Sequence, residues 1–436
     1  MAYQKVGTPR FYIDYLSYLE TIGMVNGQIT GNHTNIEGKF YGLDPVSVCK
    51  IEHTNPNSSF KPCIDFNDYL GRGLLKSVNY YGVLGHTFND LPDEYEDLTA
   101  TQTAAGYDYY NWAKLALHPV FYRINPEGDL TPGSDDNESL VGALSCAEWD
   151  VGNERFILNA DECPHGQEFI CKRGGASLVK AIYDPINSDE VEEDEIYDID
   201  RVRLRAFTYA TQGGGASYDY EPNQSNITSN FTGEWHVGSF VFGHYYDMPY
   251  SPDLQLNMEV EFDGYDSFET MGGSTMTRIN YHGAPLWQGK YNPWQSGEGS
   301  PNYGHPEDDK TYSEFITRNG RRVWNLKFSY MSQGDVFSSN YMWNESRETT
   351  SGFDESDLVK TQWGKHVPLY TLADDESFSA KVLNFIGNGQ KFIFQSDNTS
   401  NNPSDFAICQ LDQSSLKIDQ VANGVYSFSL KIREVW

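Results

Sequence analysis

Residues 254–264 read LQLNMEVEFDG, and this stretch decides the fold class. Apolar and polar side chains alternate along it without a break, with Leu254, Leu256, Met258, Val260 and Phe262 on the apolar side. Such an alternation ending in Asp-Gly predicts a β-strand with one face in water, followed by a tight turn. The sequence therefore predicts a β-protein whose sheets have one covered face.

The same period of two recurs along the chain. In residues 321–331, RRVWNLKFSYM, the apolar members Trp324, Leu326, Phe328 and Tyr330 are predicted to share a buried face. Further strands are predicted in SVNYYGVLGHTF (77–88), RVRLRAFTYA (201–210), QKFIFQ (390–395), DFAICQLD (405–412) and GVYSFSLKIREVW (424–436). These patterns predict antiparallel sheets.

One segment has the period of a helix. Residues 375–386 place Phe378, Val382, Phe385 and Ile386 at helical spacing, with Gly387 suited to the C-cap. Residues 8–23, TPRFYIDYLSYLETIG, fit either a strand or a short amphipathic helix, because their apolar run is too dense to separate the two.

A chain of 436 residues is longer than the chain that a single hydrophobic core usually organises. We predict a mainly β protein of two β-sandwich or jelly-roll domains, 1–245 and 246–436. The first domain has a long excursion at about 91–200, where regular alternation is sparse, and the second has a single short helix. A junction built from Tyr245, Tyr246, Pro249 and Pro252 stiffens the connection, since proline fixes the backbone.

The net charge of −31 excludes whole classes of partner. A strongly acidic surface repels nucleic-acid phosphates and anionic membranes, so we predict neither partner. No apolar run reaches the roughly 20 residues that span a bilayer. The start of the chain lacks the layout of a secretory signal, and six cysteines are too few for a disulfide scaffold. Synthesis in a cytoplasm, with free buried thiols, is the expectation.

Catalytic motifs are missing from the sequence. It has no phosphate-binding loop, no complete dinucleotide fingerprint, no metalloprotease motif and no nucleophile elbow. We therefore predict a non-enzymatic protein without a cofactor and assign no catalytic residue. The acidic run 188–200 offers Asp189, Glu192 and Asp194 as Ca²⁺ ligand candidates, but it lacks the glycine and ligand spacing of a calcium loop. A solvated loop is the favoured interpretation.

A stretch of turn residues at 285–304 contains four large aromatics. They are Trp287, Tyr291, Trp294 and Tyr303, the contact candidates of this sequence. Aromatics on such a loop stack on sugars, anchor a protein partner, or pack back on their own sheet. We favour protein contact or self-packing, because sugar sites add polar partners that this stretch does not identify.

Long stretches of the chain resemble structural virion proteins of marine tailed bacteriophages such as cyanophages. The similarity covers VGTPRFYIDYLSYLETIG (6–23), NYYGVLGHTF (79–88), most residues after 235, and above all KFIFQSDNTSNNPSDFAICQ (391–410) with the strand that follows. It implies a discoidin-like sandwich in the first domain and a tail-protein-like sandwich in the second.

The resemblance also implies a place and partners for the protein. The place is the virion, in the tail, baseplate or fibre-attachment region. The partners are copies of the chain and other virion proteins. The alternative is a receptor- or carbohydrate-binding virion module, or a capsid decoration protein, for which a host surface glycan is the possible partner.

Overall fold

A computed structural model of the chain is mainly β, with antiparallel sheets. It describes residues 6–30, 35–37, 39, 41–43, 49–53, 63–70, 78–86, 117–124, 138–145, 148–150, 155–157, 169–170, 175–185, 199–206, 233–253, 257–262, 265–279, 320–337, 358–360, 366–368, 376–387, 389–400 and 405–435. Strands make up 52% of this part and helices 14%, which confirms the predicted fold class at this level.

The first half of the chain contributes sixteen strands and one helix. The strands are β1 (Arg10–Asp14), β2 (Val25–Thr30), β3 (Asn35–Glu37), β4 (Cys49–His53), β5 (Cys63–Leu70), β6 (Tyr80–His86), β7 (Leu117–Ile124), β8 (Glu138–Ser145), β9 (Glu148–Asp150), β10 (Arg155–Ile157), β11 (Phe169–Ile170), β12 (Gly175–Lys180), β13 (Ile182–Pro185), β14 (Ile199–Ala206), β15 (Gly233–Val237) and β16 (Ser239–Asp247). Helix α1 (Tyr15–Thr21) follows β1 directly. These counts refer to the described residues.

Ten further strands lie in the second half. They are β17 (Asn257–Glu261), β18 (Tyr265–Glu269), β19 (Thr275–Ile279), β20 (Arg321–Ser332), β21 (Leu358–Lys360), β22 (His366–Pro368), β23 (Phe392–Gln395), β24 (Phe406–Leu411), β25 (Ile418–Ala422) and β26 (Val425–Glu434). Helix α2 spans Gln333–Val336, and α3 begins as a π-helical turn at Ser379–Leu383 and ends as an α-helical turn at Asn384–Ile386. The predicted helix therefore forms over most of its range, but α2 shows that it is not the single helix of this half.

One eleven-stranded sheet joins both halves of the chain. Its order is β11-β12-β6-β16-β1-β23-β24-β26-β20-β17, with β25 paired to β26. Strand β1 lies between β16 and β23, so an early strand pairs with a late one. The predicted boundary at 245/246 falls inside β16, and the sheet continues across it. The division into two sandwich domains stays a prediction.

Strand and helix meet inside the ambiguous segment near the start of the chain. Residues 10–14 form β1, which is buried along its whole length, and Tyr15 begins α1. The switch occurs at Asp14, whose side chain accepts hydrogen bonds from the backbone N–H groups of Leu16 and Ser17 and so caps the helix. The segment therefore contains both a strand and a short helix, and the Asp14 cap marks the boundary between them.

The middle strands of the large sheet are covered on both faces. On one face, residues such as Phe11, Trp324 and Phe394 form a core with α1, α3 and side chains of the six-stranded sheet β13-β8-β7-β14-β5-β2. On the other face, Tyr12, Tyr80 and their neighbours form a second cluster. Burial on both faces explains why the middle of β1, Phe11 to Ile13, is apolar without alternation.

The pair β20–β26 confirms the alternation and corrects one residue of it. Trp324, Leu326 and Phe328 are buried as predicted, with Phe328 opposite Phe428. The prediction that Tyr330 is buried is wrong. Tyr330 is 76% exposed with a φ of 65°, and Met331 is buried in its place. The register shifts between Phe328 and Met331, and such a bulge reverses which side chains face the core.

Strand β17 departs from the opening prediction in a different way. The strand forms, but its apolar side chains are not covered: Met258 is 38% exposed, Val260 41% and Phe262, just beyond the strand, 69%. Because β17 is the last strand of the sheet, its apolar face lies at the sheet's margin. The pattern predicted the strand correctly and its burial wrongly.

The excursion at about 91–200 contains more strands than its pattern predicted. Strands β7 and β8 pair within the six-stranded sheet, and β12 joins the large sheet beside β6. Their apolar residues occur in short runs such as VFY (120–122) and LVGAL (140–144), which carry no period-two signal. Whether these segments form strands depends on their pairing with strands elsewhere in the sequence.

Candidate functional site

The predicted junction begins in a network of polar side chains at the end of β16. The Arg10 guanidinium binds the Asp247 carboxylate through two contacts, Nε to Oδ1 at 2.6 Å and Nη2 to Oδ2 at 2.9 Å. Asn398 donates to the same carboxylate at 3.1 Å. The Arg10 carbon Cζ lies 4.3 Å from the centre of the Tyr245 ring, within cation–π range. Strands β1 and β16 and the loop after β23 are thereby held together.

The other junction residues divide between core and surface. Tyr246 is 7% exposed, its ring centre lies 5.9 Å from that of Phe378 in the turn before α3, and burial raises the pKa of its hydroxyl well above the usual value. Pro249 is exposed and Pro252 half-buried. The tyrosines are therefore part of the sheet and its core, and only the prolines lie on the connecting segment.

The far end of the junction is attached to β20. The Asp253 N–H donates to the Lys327 carbonyl at 2.8 Å, and Ser329 Oγ donates to the Asp253 carboxylate at 2.7 Å. At the near end, the Met248 N–H donates to the Pro9 carbonyl at 3.0 Å. The segment is thus fixed at both ends to strands of one sheet, which restricts movement of β17 relative to β16.

A buried histidine lies beside β1. His244 is 2% exposed; its Nδ1 lies 2.7 Å from the Tyr15 hydroxyl and its Nε2 lies 2.6 Å from the Lys381 carbonyl. A carbonyl only accepts, so Nε2 carries the proton and Nδ1 accepts from Tyr15. Burial, followed by the nearby Lys381 charge, lowers the pKa of His244 to about 3. The ring therefore connects β16 to α3 in its neutral form.

Asp14 is a second buried titratable group in the same region. Its carboxylate accepts from the N–H groups of Leu16 and Ser17 at 3.2 Å and 3.1 Å, and from the Ser17 hydroxyl. Burial raises the pKa of Asp14 to about 6 despite these hydrogen bonds. A raised carboxyl pKa is often found in catalytic acids, but here the oxygens are engaged in capping α1.

A buried ion pair joins β20 to β26. Glu434 accepts from Arg322 Nε at 3.0 Å, from Nη2 at 3.1 Å and from the Arg322 backbone N–H at 3.0 Å. Arg322 Nη2 also donates to the Phe406 carbonyl of β24 at 2.9 Å. The side chains are 5% and 2% exposed. The Arg322–Glu434 pair links β20, β24 and β26, and both side chains are almost completely buried.

The described residues contain neither a metal-binding cluster nor a membrane-spanning helix. Among them, no group of three or more His, Cys, Asp or Glu side chains is arranged to hold a metal ion. No helix in the described ranges is long and apolar enough to cross a membrane. Cys49 and Cys409 are buried and form no disulfide, and burial raises the pKa of the Cys49 thiol to about 12.

Several predicted contact residues lie outside the described residues. These are Trp287, Tyr291, Trp294 and Tyr303 on the aromatic stretch and Asp189, Glu192 and Asp194 on the acidic run. Their roles stay predictions. The structure brings together only the junction set among the predicted sites.

Sequence reasoning missed the most prominent surface feature. Nine large apolar side chains are exposed in the described part of the chain, and six of them lie between residues 258 and 276. They are Met258, Val260, Phe262, Phe268, Met271 and Met276, which we call the apolar margin. Phe268 and Met276 are opposite each other in the hairpin β18–β19, which forms its own two-stranded sheet. The sequence shows that these residues are apolar, but whether they are exposed depends on where the sheet ends.

Comparisons with known proteins identify no relative of this chain. No protein-family model matches the chain, and no curated protein or solved structure matches it either. The resemblance to phage structural proteins therefore stays a prediction.

Proposed function

We propose that the protein is a non-enzymatic structural component of a tailed-phage virion, assembled as symmetric copies in the tail, baseplate or fibre-attachment region. Exposed apolar side chains that lie side by side on a soluble protein are typical of an interaction site. Met258 and Val260 share one face of β17, and Phe268 is opposite Met276 in the hairpin β18–β19. The apolar margin, with Met271 and Phe262 among its most exposed members, is the observation that carries this proposal.

The interior supports a structural role. His244, Asp14 and the Arg322–Glu434 pair are buried, and each makes hydrogen bonds to protein groups that hold strands or helices in place. The shared sheet and the attached junction hold strands from both halves of the chain together. In a ring of identical copies, a rigid subunit reproduces the same angle at every interface.

The acidic composition is compatible with this role. A net charge of −31 favours solubility at high copy number before assembly, and it selects neighbours with basic surface. The contact surface between copies must then be apolar or locally neutral, because two surfaces of this charge repel each other.

Assembly is tested on the whole protein and on particles. Sedimentation velocity of the purified chain at tens of micromolar is expected to show a discrete oligomer, and mass spectrometry of purified virions is expected to detect the chain at a fixed ratio to other structural proteins. A strictly monomeric protein that is also absent from virions would contradict the proposal.

A further inference from the structure

Strand β17 ends the large sheet with an open edge. It has five residues, and β20 is its only paired neighbour among the described residues. The strand at the other end of the sheet, β11, has two residues. Short end strands limit pairing with other chains, because an end strand presents unpaired backbone N–H and C=O groups. Strand β17 is not shortened in this way, so its edge can accept a further strand.

The apolar face of β17 is only partly covered. Met258 is opposite Trp324 of β20, which is fully buried. Met258 and Val260, one strand further out, are 38% and 41% exposed. A strand added beside β17 would place its own side chains on the same face and remove part of this apolar surface from water.

The polar face of β17 is matched by basic residues of the same chain. Glu261 is opposite Arg321 in the sheet and lies 2.8 Å from Arg433. Lys431 interacts electrostatically with both Glu261 and Glu259. The two glutamates therefore leave little unbalanced charge at this edge. A second copy can approach here, although the chain as a whole has a net charge of −31.

One antiparallel register of β17 with its own copy keeps every glutamate away from another acidic residue. Pairing centred on Met258 places this residue opposite its own copy and Glu259 opposite Asn257. The sequence position opposite Glu261 is that of Gln255. Directly opposite residues of an antiparallel pair point to the same side, so the apolar faces of both copies form one surface.

The neighbouring registers are less favourable. Pairing centred on Glu259 places that residue opposite its copy, and pairing centred on Val260 places Glu259 opposite Glu261. Pairing centred on Asn257 places Glu261 opposite Asp253. Like charges in directly opposite positions destabilise a pair, and a slip of one residue moves the apolar side chains to the other face. The strand therefore specifies one register with its own copy.

We propose that β17 pairs edge to edge with β17 of a second copy, antiparallel and centred on Met258, so that two large sheets become one continuous sheet. The contact is isologous, because each copy contributes the same residues, and it closes on itself. Copies join in pairs through β17, and a larger ring needs a second contact elsewhere. The proposal deepens the proposed function, on which it rests for its biological setting, by naming the strand and register of one contact between copies.

Cysteine cross-linking tests the register directly. In the proposed pair the Cβ atoms of the two copies of residue 258 are about 5 Å apart. Residue 260 falls opposite position 256, so its two copies are about 14 Å apart at a rise of roughly 3.4 Å per residue. A short bis-maleimide is expected to join Met258→Cys into a covalent dimer in at least about tenfold higher yield than Val260→Cys, a site of similar exposure. Wild type, with its six native cysteines, sets the background.

A charge substitution tests the contribution of the edge to self-association. Met258→Lys places two lysines opposite each other at the centre of the pair, and Val421→Lys adds the same charge at a 56% exposed position on β25. Sedimentation velocity of the full chain is expected to show self-association at least about tenfold weaker for M258K and changed less than about twofold for V421K. Hydrogen exchange in residues 257–261 is expected to slow with rising protein concentration in wild type and not in M258K.

Four results would overturn the proposal. They are equal cross-linking of M258C and V260C, cross-linking of M258C no greater than the wild-type background, equal effects of M258K and V421K, and a wild-type chain that remains monomeric. Hydrogen exchange in β20 and β26 verifies that M258K is folded, and M258C gives an independent result if it is not. A monomeric chain that is present in virions removes only the β17 pairing, whereas a monomeric chain that is absent from virions removes the proposed function as well.

Discussion

Replacing Glu434 with alanine is expected to lower the free energy of unfolding by about 3–5 kcal/mol. The substitution removes the carboxylate that accepts from the Arg322 guanidinium, while the Phe406 carbonyl and the Trp324 ring, 4.8 Å from Arg322 Cζ, still contact it. A buried charge without its partner is one of the few single changes with so large a cost, because the desolvation penalty is no longer offset. Urea-induced unfolding monitored by circular dichroism measures the loss.

The chain offers a matched control for this ion pair. Glu261 pairs with Arg433 at 2.8 Å, but both side chains are about one third exposed. Glu261→Ala is expected to cost at most about 1 kcal/mol, since exposed pairs gain little over hydration. The double substitution Arg322→Met with Glu434→Leu should recover much of the stability that E434A loses. Equal costs for E434A and E261A would show that burial does not govern this pair.

The second large effect is a dependence of stability on pH that arises at Asp14 and His244. The pKa of His244 is lowered from 6.5 to about 3, so between these values the unfolded chain binds a proton that the folded chain does not. This contribution destabilises the fold as the pH falls through that window. The pKa of Asp14 is raised from 3.8 to about 6, so there the folded chain binds the extra proton. This contribution stabilises the fold as the pH falls from 6 to 3.8.

The two contributions oppose each other between pH 3.8 and 6, and Asp14→Asn removes one of them. Asparagine still caps a helix, so α1 is expected to form. Relative to wild type, the free energy of unfolding of D14N should rise by about 3 kcal/mol from about pH 3 to about pH 7, since a shift of roughly two pKa units corresponds to that energy. Wild type carries an unfavourable buried charge at neutral pH, and the variant does not.

Urea unfolding of both proteins at half-unit intervals of pH measures this difference. Asp419→Asn, at an exposed position on β25, reports what the same chemical change does on the surface. Parallel stability profiles for D14N and wild type over pH 3.8–6 would show that Asp14 is not the source of the effect.

Local pattern predicted individual strands well and their environment less well. The alternation in β20 and β26 predicted paired faces at Trp324, Leu326 and Phe328. It failed at Tyr330, because a bulge changes the parity of every later residue and leaves no mark in composition. It also failed on the burial of Met258 and Val260, because a period of two distinguishes two faces without telling which face another layer covers.

The buried polar groups show a second limit. His244 has two hydrogen-bond partners, Tyr15 and Lys381, which are 229 and 137 residues away in the sequence. Glu434 and Arg322 are 112 residues apart. Nothing in the neighbouring sequence identifies such partners, since they depend on which strands become adjacent.

The sequence by itself determined the mainly β character, most strand positions in β20, β23, β24 and β26, and the acidic surface, since side-chain period and charge are local properties of the chain. Only the tertiary structure decided that β1 pairs with both β16 and β23, that one sheet crosses residue 245, and that β17 is its margin. Strand order is set by contacts between distant residues. For that reason the same alternation of apolar and polar residues gives a strand with a buried face at β20 and a strand with an exposed apolar face at β17.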